Sequence, residues 1–151
     1  IDNLIWVIEH CPEGTVESIL NFCHYCLNDD ALGDHLNYFK IKGIGVINAS
    51  PLSMGLLSSR GVPSWHPAPQ ALVLACRKAS EFCLSEGYPI EKLAVQYAVS
   101  NPGITTTLFS SSRSCNVLRN IEWASSEPDW ELVRKVRSII GGQMRVSWSN
   151  S

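Results

Sequence analysis

Two short loops in this sequence carry residue types that hold an anion. In Phe109-Ser110-Ser111-Ser112-Arg113-Ser114, four hydroxyls and one guanidinium stand just ahead of a segment with helical spacing. The unpaired amides of a helix start, its dipole and an arginine all favour a phosphate at such a place. The same residues also suit a plain serine-rich turn in which Ser114 caps the helix and Arg113 points into water. In the second loop, Ser50-Pro51-Leu52-Ser53-Met54-Gly55-Leu56-Leu57, Pro51 fixes the chain and Gly55 permits close approach to the backbone.

Other chemistry-bearing residues are scattered. Cys23-His24-Tyr25-Cys26 satisfies a CxxC spacing that serves redox or zinc chemistry, but the sequence has no second CxxC. The surrounding VESILNFCHYCL reads as a buried strand, so packing is the expected role of both thiols. Cys76 and Cys83 fall on one face of a helical segment, as small buried hydrophobes. The six cysteines lack the dense spacing of a secreted scaffold and read as free thiols in a reducing compartment, hence a cytoplasmic protein. His24 reads as a hydrogen-bonded strand residue with no acid poised to orient it, and His66 as an exposed loop residue. Glu17 and Asp34 have no matched carboxylate partner at a defensible spacing. No nucleophile, base and orienter fall together, and no metal site is expected.

The elements that must position these loops alternate. Val16 to Tyr25 predicts a strand covered on both faces. Leu32, Leu36 and Phe39 predict a helix over 31–42, behind Asn28, Asp29 and Asp30 and stopped by Gly43. A second β-branched run, 43–49, leads into Ser50-Pro51-Leu52, and a long loop, 56–69, follows. Helices are predicted over 71–86 and 90–100, and a third strand over 104–109. A short helix bears Val117, Leu118 and Ile121. A last helix over 128–140 carries acids early and bases late, as its dipole prefers, and Gly141-Gly142 ends it. The tail Gln143 to Ser151 is polar, with Trp148 as an anchor. The resulting β-α-β-α-α-β-α-α order points to right-handed crossovers and a parallel sheet in one α/β domain spanning 1–151. Three strands cannot close a barrel, for which about 250 residues are usual. In parallel sheets the functional edge is the C-terminal end of the strands, where both loops lie.

The composition excludes several roles. The chain has 151 residues, 45% hydrophobic and 17% charged, enough apolar side chains for one ordinary folded domain. A formal charge of −2 is too little positive charge to hold a nucleic acid by its backbone. No apolar run approaches the roughly 20 residues that span a bilayer, and IDNLIWVIEHC lacks the flank of a signal peptide. Nucleic acid and membrane are therefore not expected partners.

The segments FCHYCLNDDALGDHLNYFKIKGIGVINASPLSMGLL, GVPSWHPAP, KLAVQYAVSNPGITTTLF and SSRSCNVLRNIEWA together resemble the C-terminal half of an aldo-keto reductase. The resemblance runs from about Val16 to Trp148, and Gln143 to Ser151 is also similar to the family's terminus. It implies the C-terminal part of a (β/α)8 barrel, strands six to eight with their helices. It further implies hydride transfer between a nicotinamide cofactor, NAD or NADP, and a carbonyl or sugar hydroxyl, with an aldose such as L-galactose as the expected substrate. Ser50, Leu52 and Gly55 match the family's loop along the pyrophosphate and nicotinamide ribose. Ser112, Asn116 and Asn120 match positions at the adenosine end, with Arg113 beside them. The family's Tyr, Asp, Lys and His tetrad belongs to strands absent from this sequence, so no residue here inherits those roles and the chain alone is expected to be inactive. Ala49 stands where many relatives place a Tyr, and Ser110 where they place a Gly. The alternative is a non-catalytic binding or interaction module.

Overall fold

The β-branched runs pair into one sheet. The computed structural model describes residues 1–148, and its three strands, β1 (Ser18–Phe22), β2 (Gly45–Ala49) and β3 (Thr106–Leu108), are parallel and adjacent in chain order. The register places Phe22 beside Ala49 and Ala49 beside Leu108, so the three strands finish in one row and their following loops share one edge. Six α-helices surround them: α1 (Asp2–His10), α2 (Leu36–Ile41), α3 (Gln70–Ser85), α4 (Ile90–Val99), α5 (Ser114–Ala124) and α6 (Trp130–Ile140).

One face of the sheet makes the core. Ile19, Val46 and the α-helical residues Phe39, Leu72, Cys76, Ala79, Leu93 and Val136 are buried together. Each apolar side chain removed from water this way contributes about 1.5–3 kcal/mol, and this burial holds the helices on the sheet. Asp129 closes α6 at its start, its Oδ1 accepting the amides of Glu131 and Leu132 at 3.0 Å. Gly141, at φ +53°, supplies the backbone turn that ends it.

The sequence reading needs several corrections. The helix α1 is absent from the expected order; it is short, has no fully buried residue and starts at Ile1 without a side-chain cap. The first strand is shorter than 16–25 and is not covered on both faces. Its burial alternates, leaving Leu20 50% and Phe22 48% exposed on a face over which no second layer lies among the described residues. The strand stops because Cys23 takes φ +63°, which puts the CxxC in the turn beyond β1 rather than in the strand. The single helix expected over 31–42 is a 3₁₀ turn, Ala31–His35, leading into α2, and the third strand keeps only three of its six predicted residues. On α5, Leu118 and Ile121 are exposed rather than packed. Trp148 does anchor the tail, packing against the core with its ring centroid 5.3 Å from that of His66. The tail residues 149–151 lie outside the described residues.

Candidate functional site

The loops after β2 and β3 enclose two contiguous cavities at the C-terminal edge of the sheet. One, of about 470 Å³, runs over the strand ends past Phe22, Ser50, Leu52, Gly55 and Leu108. The other, of about 460 Å³, continues toward α5 past Arg60, Ser111, Asn116, Arg119 and Trp123. Leu52, Ser110 and Asn120 line both, which makes them one groove.

The loop after β2 is held in an unusual shape. Ser50, Ser53 and Met54 all have positive φ between 50° and 63°, and Gly55 follows at φ +101°. Such backbone persists only where its surroundings fix it, and here the loop fixes itself. The Ser50 Oγ accepts the Met54 amide at 3.0 Å, and the amides of Ser53, Gly55, Leu56 and Leu57 bond to carbonyls within the loop. Among the described residues only the Leu52 amide in this turn is without an acceptor. The buried Ser53 Oγ is likewise unpaired.

The loop after β3 is the opposite case. The amides of Ser110, Ser111, Ser112, Ser114 and Cys115 have no acceptor among the described residues, and Ser114 and Cys115 open the first turn of α5. Free donors at the positive end of a helix attract an anion. The Asn116 Nδ2 donates to the Ser111 Oγ at 3.2 Å, which braces the loop against the helix, and Asn120 is 8% exposed at the floor of the groove.

Of the seven residues singled out in the sequence, Ser50, Leu52, Gly55, Asn116 and Asn120 line the groove. Ser112 and Arg113 are exposed and line neither cavity. Arg113 is the N-cap of α5 without a side-chain cap bond, so Ser114 is the first residue of the helix rather than its cap. The sequence reading missed Arg119, whose guanidinium carbon sits 5.6 Å from the ring centroid of Trp123. Asn116, Arg119, Asn120 and Trp123 recur at helical spacing on one face of α5, and that period was the available signal.

The histidines and cysteines differ from expectation. His24 does have an acid poised to orient it, since its Nδ1 lies 2.8 Å from the Asp29 Oδ2. His66 is not simply exposed. Its Nδ1 accepts the Ala68 amide at 3.1 Å, which leaves Nε2 to donate to the Ser53 carbonyl at 3.4 Å. Burial pushes the Cys23 and Cys26 thiols up, Cys26 strongly, and Asp29 adds to it in both. Both are held protonated, which suits packing, and the Cys26 thiol donates to the Ser50 carbonyl at 3.3 Å. Cys76 and Cys83 are fully buried, as their shared face required.

A groove at the C-terminal edge of a parallel sheet is where α/β folds hold their ligands. The sequence profile of the Aldo/keto reductase family matches residues 3–140, and the chain belongs to that family. It is 41% identical over 152 aligned positions to the L-galactose dehydrogenase of Arabidopsis thaliana, covering 98% of this chain and 48% of that protein. It is also 30% identical over 109 positions to the D-arabinose 1-dehydrogenase of Saccharomyces cerevisiae, covering 66% of this chain and 32% of that protein. The chain thus spans half or less of the length of these relatives. Among solved structures it superposes on aldo-keto reductase AKR11C1 from Bacillus halodurans, holo form, with a TM-score of 0.67 at 19% identity, covering 99% of this chain and 49% of that one. The apo form of the same protein gives 0.65 at 20% identity, covering 50% of it, and both likenesses speak for the fold alone. Among the described residues no helix is long and apolar enough to cross a membrane.

Proposed function

We propose that this chain is the cofactor-holding C-terminal part of an NAD(P)-dependent sugar dehydrogenase, contributing strands six to eight of a (β/α)8 barrel. The observation that carries the reading is the groove, which is lined at its β3 end by Ser110 and Ser111, whose amides are unpaired in the loop leading into α5, and whose floor is Asn120. That donor set fits a dinucleotide: phosphate oxygens accept from free amides at a helix start, and ribose hydroxyls pair with Asn and Ser side chains. When bound, the nicotinamide supplies the hydride acceptor.

What this chain supplies is position. Ser50, Leu52 and Gly55 hold the middle of the dinucleotide against the strand ends. Ser112, Asn116 and Asn120 hold its adenosine end, with Arg113 beside them and Arg119 in the cavity lining, and NAD is the expected cofactor. Proton transfer requires an acid or base beside the reacting hydroxyl, and residues outside this sequence supply it. The sugar dehydrogenases among the relatives support an aldose substrate.

Fluorescence titration of the full-length protein with NADH and NADPH tests this directly. The wild type binds one of them, and Asn120→Ala weakens binding about tenfold, the loss of a buried hydrogen-bonded contact. Binding of neither cofactor overturns the reading.

A further inference from the structure

The pair His24 and Asp29 lies beyond the groove residues and is firmly built. Asp29 is 3% exposed and both of its carboxylate oxygens are engaged, Oδ1 by the Ala31 amide at 2.9 Å and Oδ2 by His24 Nδ1 at 2.8 Å. An acceptor fixed at Nδ1 draws the imidazole hydrogen to that nitrogen, so neutral His24 carries an acceptor at Nε2. The His24 side chain is 29% exposed, and its Nε2 has no partner among the described residues.

Together with Phe22, Cys23, Ser147 and Trp148, the pair lines a cavity of about 90 Å³. That is space for about three waters, or for the hydroxyl-bearing edge of a small molecule. Phe22 also lines the groove, so the cavity continues it at the β1 end, away from the serine loop after β3. Its outer wall is fastened in place. The Arg145 amide donates to the Asn28 carbonyl at 2.9 Å, and its guanidinium reaches Asp30 and Asp34, each at 2.7 Å. This clamp seats the segment bearing Ser147 and Trp148 over the turn that carries His24. Two aromatic walls, a hydroxyl and an oriented imidazole match a polyhydroxy ligand, whose C–H faces lie on rings while its hydroxyls reach the polar groups.

We propose that this cavity is a sugar-recognition subsite in which His24, held by Asp29, receives a substrate hydroxyl at Nε2. The inference rests on the sugar-dehydrogenase reading and adds the residue that meets the sugar. His24→Ala and His24→Gln in the full-length protein test it through three measurements. The first is NAD(P)H affinity by fluorescence, and the second is the calorimetric Kd of 1,5-anhydrogalactitol, which lacks the oxidisable anomeric hydroxyl, with reduced cofactor present. The third is kcat and KM across monodeoxy sugars.

In His24→Ala, cofactor affinity stays at the wild-type value, which also reports intact folding. The anhydrosugar Kd and the sugar KM rise about tenfold, as for one lost hydrogen bond, while His24→Gln loses less. Against the one deoxy sugar that lacks the contacted hydroxyl, wild type and His24→Ala become equal. Unchanged sugar affinity, or an equal loss against every deoxy sugar, overturns the subsite while leaving the dehydrogenase reading standing. A wild type that binds no nicotinamide cofactor overturns both.

Discussion

Arginines decide between the two nicotinamide cofactors only if they reach a 2′-phosphate, and the groove offers two candidates at different depths. Arg119 lines the cavity from the Asn116–Asn120 face of α5, whereas Arg113, the N-cap of that helix, is outside the lining. Removing one arginine–phosphate contact costs about 1.5–3 kcal/mol, roughly tenfold or more in affinity. We therefore expect Arg113→Ala to change NADH and NADPH affinity little and equally, and Arg119→Ala to give the larger loss. A selective loss of NADPH binding in Arg113→Ala would instead place a 2′-phosphate beside the start of α5. The loops that meet at the groove were legible for a local reason: Pro51 and Gly55 announce one through turn chemistry, and the serines announce the other through composition, while Ser50 was named through the family resemblance. The contact of His24 with Asp29 left no such trace, because it depends on the positive φ of Cys23 and on a five-residue turn with no period.

At the scale of the element, the long loop between β2 and α3 is tied down by a histidine that must stay neutral. The His66 Nδ1 accepts the Ala68 amide, and a proton at that nitrogen removes the acceptor. Burial holds His66 below the ordinary histidine value of 6.5, against the opposing effect of the Ser53 carbonyl. A histidine depressed on folding contributes stability that is complete above the unfolded value, and that stability is lost as pH falls through the folded one. Protection of the Ala68 amide from hydrogen exchange is thus expected to be full at pH 7.5 and to fall below pH 6.5. In His66→Ala it should be low at both pH values, and a wild type whose protection does not change with pH contradicts the tether. Elements with strong periods, α3, α4 and α6, were legible to within a few residues, since their buried stripes and stop signals are local. The first helix shows only a short period, Ile1, Leu4, Ile5 and Ile8, none of them fully buried, and the 3₁₀ start of the second shares the Leu32–Leu36 spacing of an α-helix, so its local sequence does not separate the two.

At the scale of the whole molecule, the sheet has one finished face and one open one. Leu20, Phe22 and Leu108 are each 45–50% exposed on the face turned away from the helices. The register makes β1 and β3 the outer strands, so each leaves one edge of backbone donors and acceptors without a strand partner among the described residues. Apolar side chains beside an unpaired edge template association with other chains. On the proposed barrel reading, pairing with further strands would cover both features at once. We expect the 151-residue chain, purified alone, to self-associate in light scattering and to show no oxidation of L-galactose with NAD or NADP. Placing charge on the open face, as in Leu20→Lys with Leu108→Glu, should reduce that association without restoring turnover, because the two deficits have different causes. On the proposed reading, association follows from uncovered apolar surface, and inactivity from a proton donor supplied outside this sequence. A monodisperse monomer with a cooperative melt would contradict the first cause, and turnover by the isolated chain would contradict the second.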